Sequence, residues 1–217
     1  MKPSKRRFLA FVLGIAVVAV GLIGPARADA LSDGAHKFVE SLADKAVNTL
    51  AVQDLSEKQR EDRFRSLLRD HFDLEAIGKW VLGRYWRTAT TAQREEYLSL
   101  FEDLIVKTYA KRFKEYTGER LTIQDAIPGG DDDAIVHSEI IRPNGAPPIR
   151  VDWRVRSPNG DYKIVDVVVE GVSMSQTQRS EFSSVIRRNG GNIKGLLAAL
   201  RNITAKGGEM SSEATKN

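Results

Sequence analysis

The side chains whose types could do chemistry are five acids in strand-like stretches (Asp125, Glu139, Asp152, Asp166, Glu170), three histidines (His36, His71, His137) and Ser173. A serine nucleophile needs a strained elbow that exposes its Oγ, and Gly171-Val172-Ser173-Met174 lacks the Gly-x-Ser-x-Gly spacing that builds one. The histidines share no ligand spacing and the chain has no cysteine, so a zinc site lacks its donors. No phosphate-binding glycine loop occurs. Gly129-Gly130 leads into Asp131-Asp132-Asp133, but without the alternating oxygen ligands of an EF-hand it reads as a solvated hairpin turn. Asp152 shares its strand face with arginines, which argues against a buried catalytic carboxylate. Asp166 lies in a strand apolar on both faces, where an acid is expected to pair with a neighbouring arginine. The sequence therefore predicts no enzyme, no catalytic residue, no metal and no cofactor.

The elements that would position such groups fall into two halves. From Ala30 to about Tyr116 the apolar period is helical. Ala35, Phe38, Val39, Leu42, Ala46 and Leu50 mark an amphipathic first helix. Ser56 with Gln59 spells a capping box ahead of Phe64, Leu67 and Leu68, and a short apolar helix from Asp73 to Leu82 ends at Gly83. Thr90 with Gln93 caps a longer helix running to about Tyr116, with more apolar positions than one surface stripe holds. That helix either crosses the core or lines an apolar cavity.

From Leu121 the period becomes two. Strands are predicted over 120–127, 134–141, 149–156 and 162–169. Their connections, Pro128-Gly129-Gly130-Asp131, Pro143-Asn144-Gly145 and Ser157-Pro158-Asn159-Gly160, carry turn chemistry. Three successive hairpins make an antiparallel meander. Val151, Trp153 and Val155 face one way, and Arg150, Asp152, Arg154 and Arg156 the other; Val165, Val167 and Val169 are expected on the covered side. Two closing helices, over 176–188 and 192–204, are separated by Gly190-Gly191. The predicted fold class is α+β: a twisted antiparallel sheet of about four to five strands with helices packed on one face, enclosing an apolar pocket.

The N-terminus sets the compartment and corrects the apparent charge. Lys5-Arg6-Arg7 precedes an apolar run from Phe8 to Gly24, and Ala26-Arg27-Ala28 supplies the small residues of a signal-peptidase site. Ser4-Lys5-Arg6-Arg7-Phe8-Leu9 resembles a twin-arginine signal with Lys in the first arginine position, which leaves the export route open. The formal charge of the whole chain is +4. Five of its 33 Lys+Arg lie in the first 28 residues, so cleavage after Ala28 leaves 28 against 29 Asp+Glu, a net of −1. A nearly neutral mature chain argues against a nucleic-acid partner. The expected organisation is a cleaved leader over 1–28, one domain over 29–206 and a disordered tail over 207–217.

What the sequence supplies in place of catalytic groups is apolar surface in a concave setting. Burying an acyl chain is worth roughly 0.8 kcal/mol per CH₂, but a bilayer buries the same chain equally well. Transfer between membrane and carrier can therefore be near neutral. A lipid carrier needs a dry pocket, an opening that leaves the head group wet, and docking surfaces, with no catalytic residue.

Val81-Leu82-Gly83-Arg84-Tyr85-Trp86 and the stretch from Tyr97 to Gly118 with Thr108-Tyr109-Ala110 carry a resemblance, as does Asp166-Val167-Val168-Val169-Glu170-Gly171-Val172-Ser173. Gln178-Arg179-Ser180-Glu181-Phe182 and Gly195-Leu196-Leu197-x-x-Leu200 complete it. In order and spacing these segments resemble the MlaC family, also called the toluene-tolerance Ttg2 auxiliary proteins. The resemblance implies a periplasmic phospholipid carrier that maintains outer-membrane lipid asymmetry. Its implied partners are an inner-membrane MCE-ring ABC transporter complex and an outer-membrane lipoprotein–porin complex. Phospholipid would be the cargo, tails inside and head group outside, and a monomer is expected.

The family offers no catalytic motif to carry over, and lipid pockets lack point signatures. Candidate lining residues are therefore placed by position. They are Trp80, Leu82, Tyr85, Trp86, Phe101, Leu104, Ile105, Tyr109, Val151, Trp153, Val155, Val165, Val167 and Val169, with Val172 and Met174 near the mouth. Ordinary core packing is the competing reading for each. Three other functions stay open: a carrier of a hopanoid or sterol-like lipid, a ketosteroid-isomerase-like enzyme using Asp166 and Tyr109, and an export-pathway adaptor with a solid core. Arg150, Arg154 and Arg156 are candidates for a docking or head-group surface.

Overall fold

A computed structural model describes residues 24–207. Residues 1–23 of the predicted 1–28 leader and 208–217 of the predicted 207–217 tail lie outside the described residues. Leu31, Ala35, Val39, Leu42 and Leu50 form the buried stripe of the first helix, α1 (Gly24–Leu50). The Ser56–Gln59 capping box opens α2 (Glu57–His71): Gln59 N–H donates to Ser56 Oγ at 3.2 Å and Ser56 N–H to Gln59 Oε1 at 3.0 Å. Arg60, buried at this corner, donates to the carbonyls of Leu50, Val52 and Leu55, which ties the end of α1 to the start of α2.

Asp73 caps α3 (Leu74–Leu82) by accepting from Ala76 N–H at 2.9 Å, and Gly83, at a φ of 58° that favours glycine, ends it. A single turn, α4 (Tyr85–Thr88), leads to the Thr90–Gln93 capping box and α5 (Thr91–Tyr109). The predicted long helix continues past Tyr109 as a tighter 3₁₀ segment (Ala110–Glu115).

The period-two region folds as predicted into β1 (Arg120–Pro128), β2 (Asp133–Ile141), β3 (Ile149–Arg156) and β4 (Lys163–Val169). A two-residue turn at Glu170 and Gly171, both at positive φ, adds a short β5 (Val172–Ser173). The sheet is antiparallel in the order β1-β2-β3-β4-β5. Ser173 then caps α6 (Met174–Arg188), and α7 (Ile193–Ala205) closes the fold.

A β-bulge changes the face assignment in β4. Val155 pairs with Ile164 and Arg154 with Asp166, so Val165 is the extra, unpaired residue of the bulge. Ile164, Val167 and Val169 therefore share the face of Val155, Trp153 and Val151, while Val165 leaves it. The expected trio of Val165, Val167 and Val169 is broken because one inserted residue reverses the alternation.

Two hydrophobic clusters organise the interior. One joins α1 and α2 to the covered sheet face through Leu31, Ala35, Val39, Leu67, Ala134, Val136, Val155 and Ile164. The other is helical, from α3 to α7, around Tyr97, Phe101 and Phe182. Tyr97 stacks on Phe101 with centroids 5.8 Å apart, and Phe182 meets both rings edge-on. Tyr97 Oη donates to the Gly78 carbonyl at 3.0 Å, which satisfies the one polar atom this ring buries. Arg65 and Arg69 on α2 bridge the clusters by pairing with Glu102 and Asp103 on α5, at 2.5–2.9 Å.

Candidate functional site

The two faces of the sheet present different sites. On the covered face, register aligns Val151 with Val169 and Val169 with Val172 across β3, β4 and β5. Paired residues point the same way, so these valines form one apolar row. Val151 is 3% exposed, Val169 half-buried and Val172 53% exposed, so the row runs from the interior to solvent. Behind it Trp153 pairs with Val167, and its indole N–H donates at 3.0 Å to Ser138 Oγ, which donates to the Val151 carbonyl. No ionisable side chain enters this row.

The opposite face holds an open cleft of about 630 Å³ between the sheet, α3 and the start of α6. Ala76, Ile77, Trp80, Ile135, Val165 and Val168 give it apolar walls; His137, Asp152, Arg154, Asp166, Ser173 and Ser175 supply polar groups. His137 Nδ1 lies 2.9 Å from Asp152 Oδ1, and Arg156 donates twice to Asp133, at 2.7 and 3.0 Å. Asp166 does not pair with an arginine as expected. It accepts from Ser173 Oγ at 2.6 Å and from the N–H groups of Ser175 and Val167 at 3.1 and 2.9 Å. The carboxylate is thus built into the turn from β4 to α6, since a helix start offers N–H donors to an anion. The face expected to be wet is only partly so, because α3 and α6 reach over it beside β4.

The position-based residues separate into groups. Leu82, Tyr85, Phe101 and Leu104 are buried in the helical cluster, with Trp86 and Ile105 packed against it. Val155 is buried in the sheet cluster, and Trp153 and Val167 pack on it. Val151, Val169 and Val172 make the row, and Met174 follows, half-buried, at the first position of α6. Trp80 and Val165 line the cleft on the other face. Tyr109 is an exposed residue at the end of α5, under the Arg112 guanidinium, and does not line the cleft with Asp166. Ile77, Ile135 and Val168 were missed as cleft residues. The signal was present: apolar residues at consecutive positions 134–136 and 167–169 mark strands covered on both faces.

No group of three or more His, Asp or Glu among the described residues could hold a metal ion. No helix among them is long and apolar enough to cross a membrane. Burial pushes the Tyr97 hydroxyl well above its ordinary range. Burial would also raise Glu102, but hydrogen bonds and charge from Arg69 and Arg65 outweigh it and hold this carboxyl below its usual value.

The fold is one already seen with a ligand. A solved phospholipid-binding protein from Ralstonia solanacearum, in complex with a phospholipid, superposes with a TM-score of 0.73 at 22% identity, covering 81% of this chain and 99% of that one. Residues 40–202 match the family model described as MlaC protein, and the chain belongs to that family. The intermembrane phospholipid transport system binding protein MlaC of Haemophilus influenzae is 28% identical over 162 residues, 71% of this chain and 76% of that protein. Toluene tolerance protein ttg2D of Pseudomonas putida is 24% identical over 133 residues, 61% of each chain.

Proposed function

We propose that this protein is a periplasmic carrier that binds a phospholipid and moves it between membranes, with no catalytic step and no cofactor. The match to the MlaC family over residues 40–202 carries the reading. The geometry supports it: Val151, Val169 and Val172 form an apolar row that reaches solvent, along which acyl chains would enter. Trp153 and Val167 then wall one side. Leu82, Tyr85, Phe101, Leu104 and Ile105 belong to the helical side, with Met174 at the mouth. The head group stays in water, because the row ends at an exposed residue. An inner-membrane transporter complex and an outer-membrane complex are the partners this reading calls for.

The test is to purify the exported protein without detergent and analyse its organic extract by mass spectrometry. Near-stoichiometric phospholipid is expected. An empty extract, with no uptake from liposomes, overturns the reading. Val172→Asp locates the entry. The site is exposed, so stability should change by less than about 0.5 kcal/mol. Bound phospholipid should nevertheless fall severalfold, because a carboxylate at the mouth must be desolvated for chains to pass.

A further inference from the structure

Around the turn from α3 to α4 the surface carries cations with no counter-charge. Lys79, Arg84 and Arg87 are exposed and Arg179 of α6 is half-buried. None of the four makes an ion pair among the described residues. Some cations elsewhere are compensated: Arg65 and Arg69 by Glu102, Arg156 by Asp133, Arg201 by Glu96. Four cations without an ion pair thus lie within α3, α4, the turn between them and α6.

Trp80 stands in the middle of that corner, 52% exposed. The Arg179 guanidinium lies 4.2 Å from the centre of its ring and donates to its carbonyl at 3.0 Å. Gly83 makes this approach possible, since a Cβ there would sit 3.1 Å from the Arg179 Cζ. The corner is therefore preorganised: an indole held at the surface with a fixed cation over it.

We propose that this corner is a docking surface for an anionic lipid bilayer. Trp80 is the large apolar side chain that α3, α4 and α6 expose among the described residues. A protein interface of ordinary size buries an apolar core within roughly 800 Å² per partner, which one indole does not supply. A head-group layer asks for less: several cations to meet phosphates and an indole to sit at the interface. Contact of this kind is weak and releases easily, as a shuttling protein requires. Trp80 also walls the open cleft, so docking lays that cleft against the membrane.

Co-sedimentation of the mature protein with vesicles tests this, and it is separable from the cargo reading, which rests on extracted lipid. Binding is expected to vesicles containing phosphatidylglycerol and not to pure phosphatidylcholine, and should weaken as salt shortens the screening length. Reversing two charges in Arg84→Glu/Arg87→Glu should weaken binding roughly twenty-five-fold or more, at roughly fivefold for each cation removed. Lys79→Glu/Arg87→Glu gives a second pair that spares the Arg84 bond to Tyr85 Oη. Trp80→Ala should weaken binding without changing its salt dependence. Equal binding to neutral vesicles, or binding unchanged in both reversal pairs, overturns the proposal. So does a folded protein that ignores anionic vesicles but loses binding to an acidic partner protein on charge reversal.

Discussion

On one face of the sheet Ala134, Val136, Val155 and Ile164 are sealed beneath α1 and α2, each with no measurable exposure. On the other face their immediate neighbours Ile135, His137, Arg154 and Val165 border an open cleft. The backbone is the same; only the direction of alternate side chains differs. The sealed face has no ionisable group and the open face pairs most of its own. What separates them is which helices arrive. α1 and α2 lay a broad apolar surface on the first face, whereas α3 and α6 meet the second at its β4–β5 edge. A sealed apolar face and a polar cleft therefore lie back to back in one thin layer.

The largest expected effect would break this comparison outright. Val155→Asp places a carboxylate where nothing can solvate it and should cost about 4 kcal/mol or more, enough to abolish folding. Ile135→Asp, one position from the partner of Val155, should cost about 1 kcal/mol or less because it faces the cleft. Urea unfolding of both compares them; similar losses would show that the faces are equally buried.

Charged substitution also sharpens the distinction between packing and pocket. Leu104→Asp and Val151→Asp should strip co-purified phospholipid and lower the urea midpoint by less than Val155→Asp does. If they unfold at the same denaturant as Val155→Asp, both positions are ordinary core. Within the helical cluster, Tyr97→Phe loses one buried hydrogen bond to the Gly78 carbonyl. A cost of about 1 kcal/mol, read as a Tm fall of roughly 2–4 °C, is expected.

The smallest effects are electrostatic and depend on pH. Glu102 is held below its ordinary value of 4.5, so the stability it adds by joining α2 to α5 is present above that value. It is lost as pH falls through the lower folded value. The Tm gap between the natural chain and Glu102→Gln should be open at pH 7 and close toward pH 3. Glu181 behaves oppositely: burial raises it, only partly opposed by its bond from Gln178, so its ionised form disfavours folding. Glu181→Gln should raise Tm slightly at pH 7, with the gain vanishing below pH 4.5.

Local chemistry was legible wherever neighbours in sequence carry the information. Both capping boxes, the helix stop at Gly83 and the hairpin turns form as read, because caps and turns are satisfied within a few residues. Alternation in β3 correctly separated Val151, Trp153 and Val155 from Arg150, Asp152 and Arg154. It failed at Val165, where a bulge inserts one residue; a bulge depends on the partner strand and leaves no mark in the strand's own pattern. Two of the three hydrogen bonds to Asp166 were also hidden, since they come from a helix start seven to nine residues later.

By itself, then, the sequence determined the α+β class, the order of elements, the absence of a catalytic motif and the family resemblance. These rest on periodicity, turn chemistry and residue identity along the chain. Only the tertiary structure decided that the apolar residues divide into two clusters, and that Val151, Val169 and Val172 align into a row open to solvent. It alone brought Arg179 over Trp80, beside the cations of α3 and α4. Each of these is a distance between segments far apart in the chain, fixed by register and by which helix packs on which face, and hydrophobic burial has no direction until those contacts form.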